Sequence, residues 1–151
     1  MNLNDLQIDL NASLKAGKTV RVGTIRFLVS AIRNAAIAKY GNAWETSITH
    51  ADVTEVVKKQ IKTHKESIEA FEKANRTELV QKEKGELEVL EEFAPQEFSD
   101  EDLKNIVAPI VGSGEKNFGL LMKSAMTAVA GRADGGRIAG LLKQILEHRT
   151  Q

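Results

Sequence analysis

The chain has 151 residues, 42% of them hydrophobic and 28% charged, and contains no cysteine. This bounds it to one ordinary domain or two small ones, and excludes disulfides, thiolate zinc sites, iron–sulfur clusters and cysteine nucleophiles. Basic and acidic residues balance at 21 each, no apolar run approaches the ~20 residues of a membrane span, and the opening MNLNDLQIDLN lacks a basic-then-apolar leader, so a soluble cytoplasmic protein without membrane attachment is expected.

Helical periodicity runs through almost all of the chain, and no window alternates as a strand does. Leu6, Leu10 and Leu14 predict a first helix over about 4–16, stopped at Gly17. Ile25, Leu28, Ile32 and Ala35 predict a second over 20–40, with Arg26, Ser30 and Arg33 off that stripe and Gly41 as its stop. Residues 41–47 read as a loop in which Trp44 either stacks on a base beside Lys39 or folds back as a lid. Thr49 and Asp52 form a capping-box pattern that opens a third helix reaching Ala74, with Val53, Val57, Ile61, Ile68 and Phe71 on one face and His64 beside them. Asn75 either closes that helix in the left-handed region or caps a fourth, over 77–93, with Leu79, Val80, Leu87 and Leu90 inward.

Pro95 is the clearest boundary, because it cannot continue a helix and biases Ala94 away from helical geometry. Ser99 then opens a fifth helix over 100–111, whose first-turn acids Asp100, Glu101 and Asp102 suit the positive end of the helix dipole. After the loop 112–114, a sixth helix over 116–129 and a seventh over 135–147 flank the turn 131–136, with Asp134 as the cap. The fold expected is all-α, with an N-terminal four-helix region over 1–94 and a small C-terminal three-helix domain over 95–151.

Charge is unevenly spread. Residues 1–40 hold six basic and two acidic side chains, 41–94 eight and twelve, 95–113 one and four, and 114–151 six and three. Basic ends and an acidic middle suit either a basic surface made by converging ends or mutual attraction within the chain.

Little of this suits bond-making. His64 and Ser67 share a helix face, but no motif supplies the orienting acid or the oxyanion hole that nucleophilic catalysis needs. The acids Glu83, Glu86, Glu88, Glu91 and Glu92 read as a solvated face rather than a general acid/base pair. His50, His64 and His148 stand apart with no ligand spacing, so neither a metal nor a cofactor is expected. Phosphate recognition is the more credible chemistry. Gly135 and Gly136 fall in the first turn of the last helix, where backbone N–H groups are free, and Arg132, Arg137 and Lys123 lie around them. Hairpin packing, with Asp134 capping, is the competing use of the same residues.

The motif-like pieces Thr24-Ile25-Arg26 with Asn34, Lys65-Glu66-Ser67-Ile68 with Phe71, Ala74-Asn75-Arg76 with Leu79, Lys82 and Glu86-Leu87, Pro95, Gly119 with Met122 and Met126, and Gly131-Arg132-Ala133-Asp134-Gly135 follow one another in a specific order. In this the chain resembles the YqeY family, also called GatB/YqeY-domain proteins, over nearly its whole length. The resemblance implies an all-α protein whose C-terminal part is similar to the tail of the B subunit of glutamine-dependent tRNA amidotransferases, a tail that contacts tRNA and does not catalyse. The chain lacks the Ser-Ser-Lys amidase signature and the domain that activates misacylated tRNA. Where the family often has Gly-Lys-Val-Met-Gly, this sequence has Gly119-Leu120-Leu121-Met122-Lys123, so the lysine moves by about one turn and the second glycine is lost.

The expectation is a non-catalytic tRNA-binding module with tRNA or an aminoacyl-tRNA complex as partner. Its expected contact residues are Lys123, Arg132, Gly135, Gly136, Arg137 and Lys143, with Arg26 and Arg33 as further contacts. The alternatives are a carbon–nitrogen ligase or amidase activity with glutamine as amido-N-donor, and a protein-interaction module using the acidic middle.

Overall fold

Asn2 opens the first helix, α1 (Leu3–Lys15): its side chain accepts the Asp5 amide at 3.0 Å while the Asp5 carboxylate accepts the Asn2 amide at 2.7 Å. The computed structural model describes residues 1–149, and among them every regular element is helical. Helix α2 (Thr19–Tyr40) follows. The expected loop over 41–47 is itself wound into a short 3₁₀ turn, Gly41–Ala43, and a single helical turn, α3 (Trp44–Ser47). Trp44 is half-buried there. Thr49 and Asp52 form the reciprocal capping box that starts α4 (His50–Lys73). Asn75, at φ 54°, closes that helix in the left-handed region, and the Arg76 amide reaches back to the Phe71 carbonyl at 2.9 Å. Helix α5 (Thr77–Phe93) then runs back along α4.

The chain divides into two compact units at Ala94 and Pro95. In the first, α2 packs on α1, α4 and α5. Leu6, Ile25, Leu28, Ile32, Val53, Val57 and Leu90 are essentially sealed from solvent, and each such aliphatic side chain contributes about 1.5–3 kcal/mol of burial. Some residues of the expected stripes fall outside this core: Leu14 and Leu79 are exposed, and Ala36 takes the buried place expected for Ala35. Steps of four residues overshoot a helical turn by about 40° each, so the third leucine of 6-10-14 has rotated off the buried face. A three-armed ion pair ties the unit together, because Arg21 meets both carboxylate oxygens of Asp9, reaches Glu92, and lies over the Phe93 ring at 5.3 Å.

The second unit contains α6 (Asp100–Gly112), α7 (Phe118–Val129) and α8 (Gly135–Arg149), each touching the other two. Ser99 and Asp102 supply another reciprocal capping box. Helix α7 starts at Phe118, two residues later than the spacing predicts, because the Glu115 carboxylate takes the amides of Lys116 and Asn117 and Asn117 serves as the cap. Leu103, Val107, Leu121, Ala125, Val129, Ile138 and Leu142 make the core. No helix is long and apolar enough to cross a membrane among the described residues.

Candidate functional site

The cationic residues expected to meet RNA do not behave alike. Arg132 is half-buried, donates Nε–H to the Gln96 carbonyl at 2.8 Å, and stacks on the Phe98 ring with its guanidinium carbon 3.8 Å from the centroid. Arg137 reaches Asp100 at 2.7 Å, and Glu97 and the Phe98 carbonyl at 3.1 Å each. The Asp100 carboxylate holds the Arg137 guanidinium above its usual range, and Arg137 holds Asp100 below the usual carboxylate range. These two arginines brace the segment that leads into α6.

The start of α8 is likewise engaged from within. Asp134 accepts the Gly136 amide at 2.9 Å, so a carboxylate already occupies the positive end of the helix dipole. A Cβ at Gly136 would meet that same carboxylate at 3.4 Å, and one at Gly135 would meet the end of the Met126 side chain, from 3.8 Å. Both separations are ordinary van der Waals contact, so neither position is crowded enough to demand glycine.

Lys123 and Lys143 differ. Both are exposed and neither has a carboxylate within ion-pair distance among the described residues. The Lys143 ammonium lies 6.0 Å from the centroid of the Phe118 ring, itself 37% exposed. A cation beside an accessible aromatic face is the pairing single-stranded nucleic acid uses, with charge for phosphate and ring for base. Arg26 and Arg33, in the first unit, are also exposed and have no ion pair among the described residues.

The first unit contains a second constellation that the sequence alone does not bring together. Between α2, α4 and α5 lies a cavity of about 520 Å³ lined by Gly23, Phe27, Thr63, His64, Ser67 and Glu86, among others. His64 Nε2 points at Glu86 Oε2, 3.1 Å away, and at Glu83 Oε2, 3.7 Å away. His64 is therefore not isolated from carboxylates. Glu83 and Glu86, read in sequence as part of a solvated face, turn inward and are half-buried, while Glu88, Glu91 and Glu92 stay exposed. The signal was present in two parts, Glu83 and Glu86 one turn apart and a helix reversal at Asn75. Only the antiparallel register of α4 and α5 joins them. The Ser67–His64 dyad does not form: both ring nitrogens face other groups, the Gln60 carbonyl at 2.9 Å and Glu86.

Residues 3–146 match the family described as Yqey-like protein. A protein of Pyrenophora tritici-repentis named altered inheritance of mitochondria protein 41, mitochondrial, is 28% identical over 85% of this chain and 71% of its own length. The protein of the same name in Lachancea thermotolerans is 34% identical over 61% of this chain and 47% of its own. An uncharacterised protein of Schizosaccharomyces pombe is 33% identical over 58% of this chain and 68% of its own.

Proposed function

Because the chain belongs to the YqeY-like protein family, we propose that it is a non-catalytic helical module that engages tRNA or an aminoacyl-tRNA complex. The observation that carries this reading is the exposed pair of Lys143 and Phe118 in the second unit, with Lys123 also free of ion pairs. Lys123 and Lys143 are the phosphate contacts, and Phe118 is a stacking platform for a base. Arg26 and Arg33 are additional contacts of the first unit. Arg132 and Arg137 serve the module by holding the entry to α6, and the Gly136 amide by closing on Asp134. A cytoplasmic location belongs to this reading; the names of the relatives raise the mitochondrion as the other compartment.

The test is tRNA binding by fluorescence anisotropy at two salt concentrations. Each phosphate neutralised adds about 0.7–0.9 to the slope of log affinity against log salt. Reversing both lysines in K123E/K143E is expected to weaken binding and flatten that slope by about two contacts' worth. Undetectable or salt-insensitive binding of the unmodified chain refutes the reading.

A further inference from the structure

The cluster between α4 and α5 has a chemistry of its own. A carbonyl only accepts, so the contact of His64 Nδ1 with the Gln60 carbonyl at 2.9 Å places a ring proton on Nδ1. In the neutral ring Nε2 then carries a lone pair, and that lone pair looks at two carboxylate oxygens. The three atoms lie within 4.8 Å of one another, and His64 is only 8% exposed. Three lone-pair donors that converge beside a buried histidine make a place suited to a cation.

A proton on Nε2 satisfies only part of this arrangement. It bridges to Glu86 at 3.1 Å and leaves Glu83, at 3.7 Å, beyond hydrogen-bond reach. Glu83 has no other ion-pair partner among the described residues, and Lys82, which lines the same cavity, pairs with neither carboxylate. A metal ion uses all three donors. Zinc takes nitrogen and carboxylate oxygen at about 2.0–2.2 Å, which sets neighbouring ligand atoms roughly 3–3.5 Å apart; the observed separations of 3.1 and 3.7 Å bracket that spacing. A ring whose other N–H is held by a backbone carbonyl is the usual outer-shell support of a metal-binding histidine. The cavity, which Thr63 and Ser67 also line, leaves one side open for a water or a ligand oxygen.

We infer that His64, Glu83 and Glu86 form a binding site for a divalent transition-metal ion, with an open coordination position facing the cavity beside Phe27. The helix register supplies the geometry: Glu83 and Glu86 are one turn apart on α5, and His64 faces them from α4.

The experiment is calorimetric titration of the metal-free full chain with Zn²⁺, paired with the visible absorption of bound Co²⁺. One ion per chain is expected, with a Co²⁺ spectrum of low coordination number. H64N and E86Q are each expected to lose at least about tenfold in Zn²⁺ affinity. E91Q, on the exposed face of the same helix, is expected to bind as the unmodified chain does. Because the Co²⁺ spectrum is read on the unmodified chain, the result stands even if a variant folds poorly. No Zn²⁺ uptake means that a proton fills this position and overturns the inference. So does uptake that H64N and E86Q leave unchanged, or a Co²⁺ spectrum like that of the hydrated ion.

Discussion

The Arg137 guanidinium and the Asp100 carboxylate meet at 2.7 Å, which fastens the first turn of α8 to the first turn of α6. Arg137 also takes Glu97 and the Phe98 carbonyl, and Arg132 covers the Phe98 ring from the neighbouring turn. A side chain with three internal acceptors has little left to offer a ligand. R137Q is expected to lower the thermal midpoint of the second unit while leaving the salt dependence of tRNA binding close to unchanged. R137K is expected not to restore the midpoint, since an ammonium lacks the planar fork that reaches several acceptors at once. A loss of salt slope in R137Q at unchanged stability would place the arginine on the RNA instead.

Asp52 gives the acid response its sign. Lys39 first, then the Thr49 hydroxyl and amide, hold its carboxyl far below the usual carboxylate range, and Tyr40 donates to it as well, at 2.9 Å. Asp9, beside Arg21, and Asp100, beside Arg137, are lowered in the same direction. A carboxyl whose native pKa is depressed stabilises the fold fully above its unfolded value, about 3.9, and loses that contribution as pH falls towards the native value. Denaturant melts are therefore expected to show stability declining below about pH 4. D52N, which removes the charge that pairs with Lys39 and weakens the side-chain half of the capping box of α4, is expected to be less stable by about 1 kcal/mol at neutral pH and to decline less steeply in acid. An unchanged acid slope in D52N would refute this.

Burial separates two aliphatic positions, one in each unit. Ile138 is fully sealed in the core of the second unit, whereas Leu14 is 46% exposed on α1. I138A is expected to cost about 2–5 kcal/mol, the transfer loss plus a cavity. L14A is expected to cost no more than roughly 0.5 kcal/mol. Urea melts of the two variants decide it, and equal losses would contradict the packing described.

Ala130 ends α7 with φ 47° and ψ 44°, in the left-handed region. A Cβ there crowds the following carbonyl oxygen. A130G is expected to stabilise the second unit by about 0.5–1 kcal/mol net, the relief of strain exceeding glycine's extra chain entropy. Asn75, at φ 54°, has a side chain that tolerates this region, so N75G is expected to gain less. A destabilised A130G would refute the assignment of strain.

The chain's own order of residues settled which long segments are helical and where most of them begin and end, though not the short turns within 41–47. Capping boxes at Thr49 and Ser99, the closing Asn75 and the break at Pro95 are local devices, each acting within a few residues through hydrogen bonds to the nearest amides and carbonyls. The motif order also carried the family, since motifs are read along the chain.

What lay beyond local reading is where side chains point once helices are packed against one another. Arg132 and Arg137 look in sequence like free cations beside a glycine turn. They are engaged because the segment 96–100 returns to meet them. Glu83 and Glu86 look like part of a wet acidic face, and turn towards His64 because α4 and α5 run antiparallel in one particular register. A period of 3.6 residues gives a face its composition but not its neighbour. The neighbour comes from the packing of whole helices, and with it comes the difference between a charge free for a ligand and one already spent inside the fold.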